Sequence, residues 1–82
     1  MFKMALKDWK KVGNKLDGDI SFYNKKTLKS IHMTDDSLIG GDEWDLVILS
    51  TKYYTKNTKT LHRKTYTYSQ ALAYAKAYMR KH

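Results

Sequence analysis

The segment 43–52 constrains the fold most, because its side chains are apolar on both sides of an extended chain. The alternating positions are Trp44, Leu46 and Ile48 on one side and Val47 and Leu49 on the other. Successive side chains of a strand point to opposite faces of a sheet, and a strand that is apolar on both faces needs cover on both. The pattern therefore predicts a central strand, covered on at least one side by a helix.

Further strands are predicted along most of the chain, which contains no proline and is rich in Thr, Tyr, Ile and Val. Turn-forming residues mark the breaks between them. The predicted strands cover 9–12, 19–23, 27–33 and 59–66, with turns at Gly13-Asn14, Asp17-Gly18 and Asn24-Lys25-Lys26.

A C-terminal helix is predicted from Thr67 to about Arg80. Thr67 and Gln70 have the spacing of a capping box, in which each side chain accepts from the backbone amide of the other residue. Apolar residues then recur every three or four positions, as on one face of a helix. These residues are Tyr68, Leu72, Ala75 and Met79, with Ala71 and Tyr78 beside them. We expect Leu72, Ala75 and Met79 to pack against Trp44, Leu46 and Ile48.

Together these elements predict an α+β fold, an antiparallel sheet of four or five strands with one C-terminal helix packed on one face. A chain of 82 residues has room for a single domain, 1–82, with a small core. Within it, 1–34 forms the N-terminal strands and hairpin, 35–43 an acidic loop expected to be mobile, and 44–82 a strand-hairpin-helix unit. The chain has no cysteine, so packing and hydrogen bonds must stabilise it without disulfides.

Charge is unevenly distributed along the sequence. From Leu46 to the C-terminus there are eight Lys or Arg residues and no Asp or Glu, while five of the eight acids lie in the stretch just before it. The net charge is +8. A basic segment of this kind favours a polyanionic partner, and DNA or RNA is preferred to an anionic membrane because the helix lacks bulky aliphatic residues.

The candidate nucleic-acid surface is a basic, tyrosine-containing hairpin and sheet face. Its residues are Lys52, Tyr53, Tyr54, Lys56, Asn57, Lys59, Arg63 and Lys64, which Lys25, Lys26 and Lys29 would extend. Lysine and arginine neutralise phosphates, Asn and Arg read base edges, and tyrosine stacks on bases or donates to phosphate. A single-strand variant of this hypothesis uses Tyr23, Tyr53 and Tyr54 for stacking. The alternative is a solvated hairpin whose lysines maintain solubility.

No pattern in the sequence favours catalysis, a metal or a cofactor. The three histidines lie on separate segments, no serine stands in a nucleophile motif, and the acids lack the rhythm of a calcium loop. We therefore expect a protein that is not an enzyme. No apolar run approaches the roughly 20 residues of a membrane span, and no signal peptide is recognisable at the start. These features favour a cytoplasmic protein.

The second half resembles the N-terminal arm-binding domain of phage-type integrases and the related AP2-like domains. The resemblance rests on the runs Glu43-Trp44-Asp45-Leu46-Val47-Ile48 and Leu61-His62-Arg63-Lys64-Thr65-Tyr66-Thr67-Tyr68-Ser69-Gln70-Ala71. It implies that strands beginning near Trp44 and Lys59 enter the DNA major groove while the helix packs behind them. The ending, with Tyr66, Tyr68, Ala71, Tyr78 and Met79, also resembles small uncharacterised archaeal and viral proteins, which implies no function.

The sequence leaves a choice between partners. DNA is favoured over RNA, and the rival hypothesis is a small protein-interaction or inhibitory module whose basic face docks on an acidic protein. Both kinds of binding weaken in salt, so charge alone does not separate them. An open apolar edge on the N-terminal hairpin would also allow a homodimer by strand pairing.

Overall fold

A computed structural model describes residues 8–36, 42–51 and 56–82 of the chain. Its strands are β1 (Trp9–Asn14), β2 (Asp19–Asn24), β3 (Ser30–Asp35), β4 (Trp44–Leu49) and β5 (Thr60–Tyr66), followed by helix α1 (Tyr68–Lys81). The strands form one antiparallel sheet in the order β1-β2-β3-β4-β5. The predicted α+β arrangement is confirmed, with five strands and one C-terminal helix.

The first connection differs from the prediction. β1 was expected to end before Gly13 and Asn14, yet both remain paired with β2. Gly13 has a φ of +86°, and a Cβ there would overlap the carbonyl oxygen of Asp19, so the close approach of the strands requires glycine. A 3-10 helix, Lys15–Asp17, then replaces the simple turn, capped by the Asn14 side chain, which accepts from the Asp17 amide at 3.1 Å.

The hairpin between β2 and β3 is longer than predicted. β3 begins at Ser30 rather than at residue 27, because residues 25–29 form the turn. Within it the Leu28 amide donates to the Asn24 carbonyl at 2.9 Å, and Leu28 has a φ of +64°. This left-handed conformation is uncommon outside glycine and carries a steric cost, so a hairpin of this shape is not expected from the residue types alone.

The core lies between α1 and one face of the sheet. Its buried members are Trp9, Ile20, Phe22, Ile31, Met33, Trp44, Leu46 and Ile48 from the sheet, and Ala71, Ala75 and Met79 from the helix. Trp44 is 2% exposed, as expected of a core residue. Ala75 and Met79 are buried as predicted, and Ala71 is fully buried too, whereas Leu72, predicted to be buried with them, is only partly buried. Small alanines let the helix backbone approach the sheet closely.

Helix α1 crosses the sheet diagonally, and its start is built as predicted. The Thr67 hydroxyl accepts from the Gln70 amide at 3.2 Å, and the Gln70 side chain accepts from the Thr67 amide at 3.3 Å. The Tyr68 ring then meets Trp44 edge-on, at the β4–β5 side. At its far end the His82 carbonyl accepts from the Asn24 side chain at 3.2 Å, beside β1 and β2.

The predicted acidic loop, 35–43, is only partly within the described residues, since 37–41 lie outside them. Asp35 belongs to β3 and pairs with Trp44 of β4. The Asp36 amide donates to the Glu43 carbonyl at 2.8 Å, so the antiparallel contact continues past the ends of the two strands.

Candidate nucleic-acid interface

The antiparallel topology brings two basic loops to the same end of the sheet. β2 and β4 run in the same direction, so the loops that follow them, 25–29 and 50–59, leave the sheet side by side. Two strand spacings separate these hairpins, a distance of about 10 Å. The start of β1 and the last turn of α1 reach the same place, because Trp9 pairs with Asn24 and Asn24 contacts His82.

We call this region the basic end. Its cations are Lys10, Lys25, Lys26, Lys29, Lys56, Lys59, Arg80 and Lys81. Among the described residues the acid that accompanies them is Asp8, whose carboxylate lies 3.7 Å from the Lys26 ammonium. The Lys26 side chain is 77% exposed, so this ion pair is weak and leaves the end strongly positive.

The acids gather at the opposite end of the sheet. This acidic end comprises Asp17, Asp19, Asp35, Asp36, Asp42, Glu43 and Asp45. Asp42 also supports the helix, since its carboxylate accepts from the Tyr68 amide at 3.1 Å. A negative charge at a helix N-terminus is favourable because the macrodipole is positive there. The described charges are therefore separated along the strand direction.

Asn24 holds two parts of the basic end together. It is 2% exposed, and its side-chain oxygen accepts from the amides of Lys26 at 2.8 Å and Thr27 at 2.9 Å. Its side-chain nitrogen donates to the His82 carbonyl. One buried amide group thus fixes the conformation of the 25–29 loop and the position of the helix C-terminus. Both carry cations, so Asn24 orients charge without contributing any.

Hydroxyl groups anchor the second loop at its base. The Ser50 amide donates to the Lys59 carbonyl and the Ser50 hydroxyl accepts from the Lys59 amide, both at 2.9 Å. Beyond this pair the Thr51 and Thr58 hydroxyls meet at 2.7 Å. The buried Ser30 hydroxyl of β3 donates to the Thr51 carbonyl at 2.6 Å. The stem of the 50–59 loop is therefore fixed to the neighbouring hairpin.

The sheet face opposite α1, which we call the open face, is close to electrically neutral. Alternation from the helix-facing residues places Lys10, Arg63, Asp19 and Asp45 among its side chains. Among the described residues this face therefore carries as many cations as acids, two of each. The Arg63 guanidinium lies 3.6 Å from the Asp45 carboxylate. Apart from Lys10, the described cations of the basic end lie on its loops and at the helix terminus and not on this face.

A histidine occupies the centre of the open face in a closed hydrogen-bond network. His32 Nδ1 lies 3.0 Å from the Ser21 hydroxyl, and Nε2 lies 3.0 Å from the Ser30 hydroxyl. Because Ser30 donates its own proton to Thr51, it accepts from Nε2, and Nδ1 then accepts from Ser21. Burial lowers the pKa of His32, and the negative charge of Asp19 opposes this shift in part. Ser21 is only 8% exposed, so the Ser–His contact forms part of the packing of the sheet surface.

On the helix side of β5 the aromatic residues pack together. The Tyr74 ring of α1 lies over His62, with centroids 4.5 Å apart, and over Tyr66 at 5.6 Å. His62 Nε2 lies 2.8 Å from the Tyr66 hydroxyl. Burial and the neighbouring Tyr74 raise the pKa of Tyr66. The Lys64 ammonium lies 5.5 Å from the Tyr66 ring centre, within cation–π range.

The residues predicted to form one surface are divided in the structure. Lys56, Asn57 and Lys59 share the basic end with the proposed extension, Lys25, Lys26 and Lys29. Arg63 and Lys64 are neighbours on β5 and therefore point to opposite faces of the sheet, Arg63 to the open face and Lys64 to the helix side. Lys52, Tyr53 and Tyr54 lie outside the described residues.

Sequence reasoning missed two contributions to the basic end. Arg80 and Lys81 satisfy the helix dipole as well, and nothing in the linear pattern indicates that the helix would end beside the 25–29 loop. Asn24 was interpreted as a turn residue only. The alternation of strand direction was available as a signal, since every second connection of an antiparallel meander lies at the same end of the sheet.

Within residues 8–36, 42–51 and 56–82, no group of three or more His, Cys, Asp or Glu side chains is placed to hold a metal ion. In the same residues, no helix has the length and apolar character needed to cross a membrane.

Comparison with known proteins gives no relative. No protein-family model matches the chain, and neither a curated protein nor a solved structure is significantly similar to it. The resemblance to integrase arm-binding and AP2-like domains therefore stays a prediction.

Proposed function

We propose that this chain is a non-catalytic nucleic-acid-binding protein that contacts phosphates through its basic end. The observation that carries the proposal is the concentration of eight described cations on two adjacent loops, the start of β1 and one helix terminus. Seven of the eight acids lie at the other end of the sheet. This arrangement attracts a polyanion to the basic end and repels it from the acidic end.

The physical basis of binding would be neutralisation of phosphates with release of counterions. The slope of log K against log salt is about −0.9 for each phosphate neutralised on duplex DNA. Two loops about 10 Å apart would contact separate phosphates along a strand. Phosphate contacts carry little sequence information, so we expect strong salt dependence with modest sequence preference. DNA is preferred to RNA because of the sequence resemblance.

The test is fluorescence anisotropy of labelled duplex DNA, single-stranded DNA and RNA at about 50 and 200 mM salt. The informative variant is Lys25→Glu with Lys56→Glu, which reverses one exposed charge on each loop of the basic end. Its matched control is Lys15→Glu with Lys64→Glu, which changes the net charge equally at two exposed positions on the half of the sheet next to the acidic end.

We expect binding that falls steeply with salt, a loss of at least about thirtyfold in the first variant, and a much smaller loss in the control. Equal losses in the two variants would show that total charge, and not the basic end, governs binding. The absence of binding to any polymer at low salt would overturn the proposal.

One observation favours a second function, docking on an acidic protein. Leu28 lies in the 25–29 loop, is 56% exposed and is held in a left-handed conformation. An apolar side chain fixed among lysines suits a protein interface, where a few buried anchors carry most of the energy. Leu28→Ala should weaken binding to such a partner while leaving affinity for DNA within about twofold, because phosphate contacts do not use this side chain.

A further inference from the structure

The C-terminal half of α1 carries an open depression next to the basic end. Its lining is Tyr74, Ala77, Tyr78, Lys81 and His82, and its volume is about 320 Å³. Ligand sites for small molecules are usually about 300–1,000 Å³, so this depression is at the lower limit. It has room for one flat heterocycle, and it combines aromatic rings with a cation.

The rings of the depression are held in place by the rest of the fold. Tyr78 packs edge-on against Trp9, with centroids 6.4 Å apart, and stacks with His82 at 4.2 Å. Tyr74 stacks on His62, and its hydroxyl lies 3.4 Å from His62 Nδ1. Rings fixed before a ligand arrives lose little conformational entropy on binding, which favours stacking of a flat partner.

The depression is continuous with the cations that would bind phosphate. Lys81 belongs to both, and the Asn24 side chain attaches His82 to the base of the 25–29 loop. Burial and the charges of Lys29 and Lys81 lower the pKa of His82, which shows how close that loop lies to the ring. A nucleic-acid backbone lying across the basic end would therefore pass within reach of the aromatic side chains.

We infer that this depression receives an unpaired nucleobase, so that the preferred ligand of the basic end is single-stranded nucleic acid. A base inside a duplex is stacked on both faces and cannot enter a depression on the side of a helix, whereas an unpaired base can leave its stack and lie on tyrosine. This inference rests on the proposed function and names its ligand class. Its residues differ from Tyr23, Tyr53 and Tyr54, which the sequence suggested for stacking.

The test obstructs part of the depression and leaves its aromatic rings and its cation in place. Ala77→Gln places a longer neutral side chain in it at an exposed helical position, where glutamine is also a good helix former. Ala73→Gln is the matched control, an exposed alanine of the same helix that does not line the depression. Thermal unfolding of both variants establishes that the fold is retained.

Binding is measured with four labelled probes of equal length: single-stranded DNA, single-stranded RNA, duplex DNA, and a single strand with abasic sites in place of bases. We expect Ala77→Gln to lose about tenfold in affinity for the two normal single strands, in line with the stacking of one base. It should leave duplex and abasic binding unchanged, and Ala73→Gln should change none of the four. The stronger of the DNA and RNA arms identifies the polymer.

The outcomes separate this inference from the proposal on which it rests. If the protein binds duplex and single strands alike and Ala77→Gln loses nothing, the inference is overturned and the phosphate-binding basic end remains. Abasic strands that bind as tightly as normal ones would overturn it too. If the unmodified protein binds none of the four probes, the proposed function fails and takes the inference with it.

Discussion

The two ends of the sheet differ in the kind of group that builds them. At the basic end a buried side chain, Asn24, fixes a loop and the helix terminus, and the charged groups around it are mostly free to face solvent. At the acidic end the exposed Asn14 caps a single turn of 3-10 helix, while Asp42 is bonded to the start of α1. The hydrogen bonds of Asn24 therefore fix the segments that carry the cations, whereas the acid Asp42 itself stabilises the start of the helix.

The positive and negative charges of the sheet are separated along the strand direction. A six-residue strand spans about 20 Å, twice the Debye length of about 10 Å at 0.1 M salt. At ordinary ionic strength each end therefore acts on its surroundings almost independently of the other. The open face between them is nearly neutral, so we expect a polyanion to meet the protein end-on.

The largest effect should come from the asparagines that cap the two ends. Asn24→Ala removes a side chain that is 2% exposed, together with its hydrogen bonds to two loop amides and the His82 carbonyl, which should cost about 2–3 kcal/mol of unfolding free energy. Asn14→Ala removes one exposed cap and should cost about 0.5–1 kcal/mol. Urea unfolding of both variants measures the difference. Equal costs would contradict the view that the basic end is the more rigidly built.

Stability should next depend on pH through the centre of the open face. The pKa of His32 is lowered by burial from its ordinary value of 6.5, so His32 binds a proton less readily in the folded protein than in the unfolded chain. The contribution of neutral His32 to the free energy of unfolding is complete above about pH 6.5 and is lost as the pH falls below that value.

Thermal unfolding between about pH 5 and 7.5 tests this, and the midpoint should fall on acidification. His32→Gln should flatten the dependence more than His82→Gln, because His32 is half-buried in a hydrogen-bond network, whereas the lowered pKa of His82 belongs to a ring that is largely exposed. An unchanged slope in His32→Gln would show that other groups control the pH response.

Neutralising the acidic end should have a smaller effect on binding. Asp17→Asn with Asp36→Asn removes two exposed acids far from the basic end and should raise affinity for DNA less than twofold at about 150 mM salt. At about 10 mM salt, where the Debye length reaches about 30 Å, the gain should grow to several-fold. A large gain at high salt would mean that DNA contacts both ends, and anisotropy titrations would detect it.

The smallest expected effect concerns the shape of the 25–29 loop. Leu28→Gly relieves the left-handed conformation but adds freedom to the unfolded chain, so the two terms nearly cancel and stability should change by less than about 1 kcal/mol. Chemical unfolding shows whether Leu28→Gly raises or lowers the free energy of unfolding. A loss well above that value would show that the exposed Leu28 side chain contributes packing to the loop.

Local patterns predicted the elements of the fold well. The capping box at Thr67 and Gln70 located the helix start, and the two-sided apolar pattern around Leu46 located a central strand that is buried in the sheet. Both signals depend on residues close in sequence. The 25–29 turn was predicted too short, because its shape depends on Asn24, whose side chain is also bonded to a carbonyl 58 residues away.

The candidate site was predictable only in part. The basic hairpin is visible as a run of lysines, but the run does not tell on which side of the sheet each one lies. Arg63 and Lys64 were grouped together and lie on opposite faces, because strand geometry separates neighbours. The contribution of Arg80 and Lys81 depends on the diagonal path of α1, which is set by how alanine and methionine side chains fit the sheet.

The residues alone were enough to predict an antiparallel sheet of four or five strands with one C-terminal helix, the excess of positive charge and its bias toward the second half. These are properties of composition and short-range periodicity, which do not depend on contacts between distant segments of the chain. The pairing of the strands brings the cations of four separate segments together at one end and places seven of the eight acids at the other. Antiparallel pairing converts positions along the chain into two ends of a sheet, and that conversion depends on which strands pair and in what register.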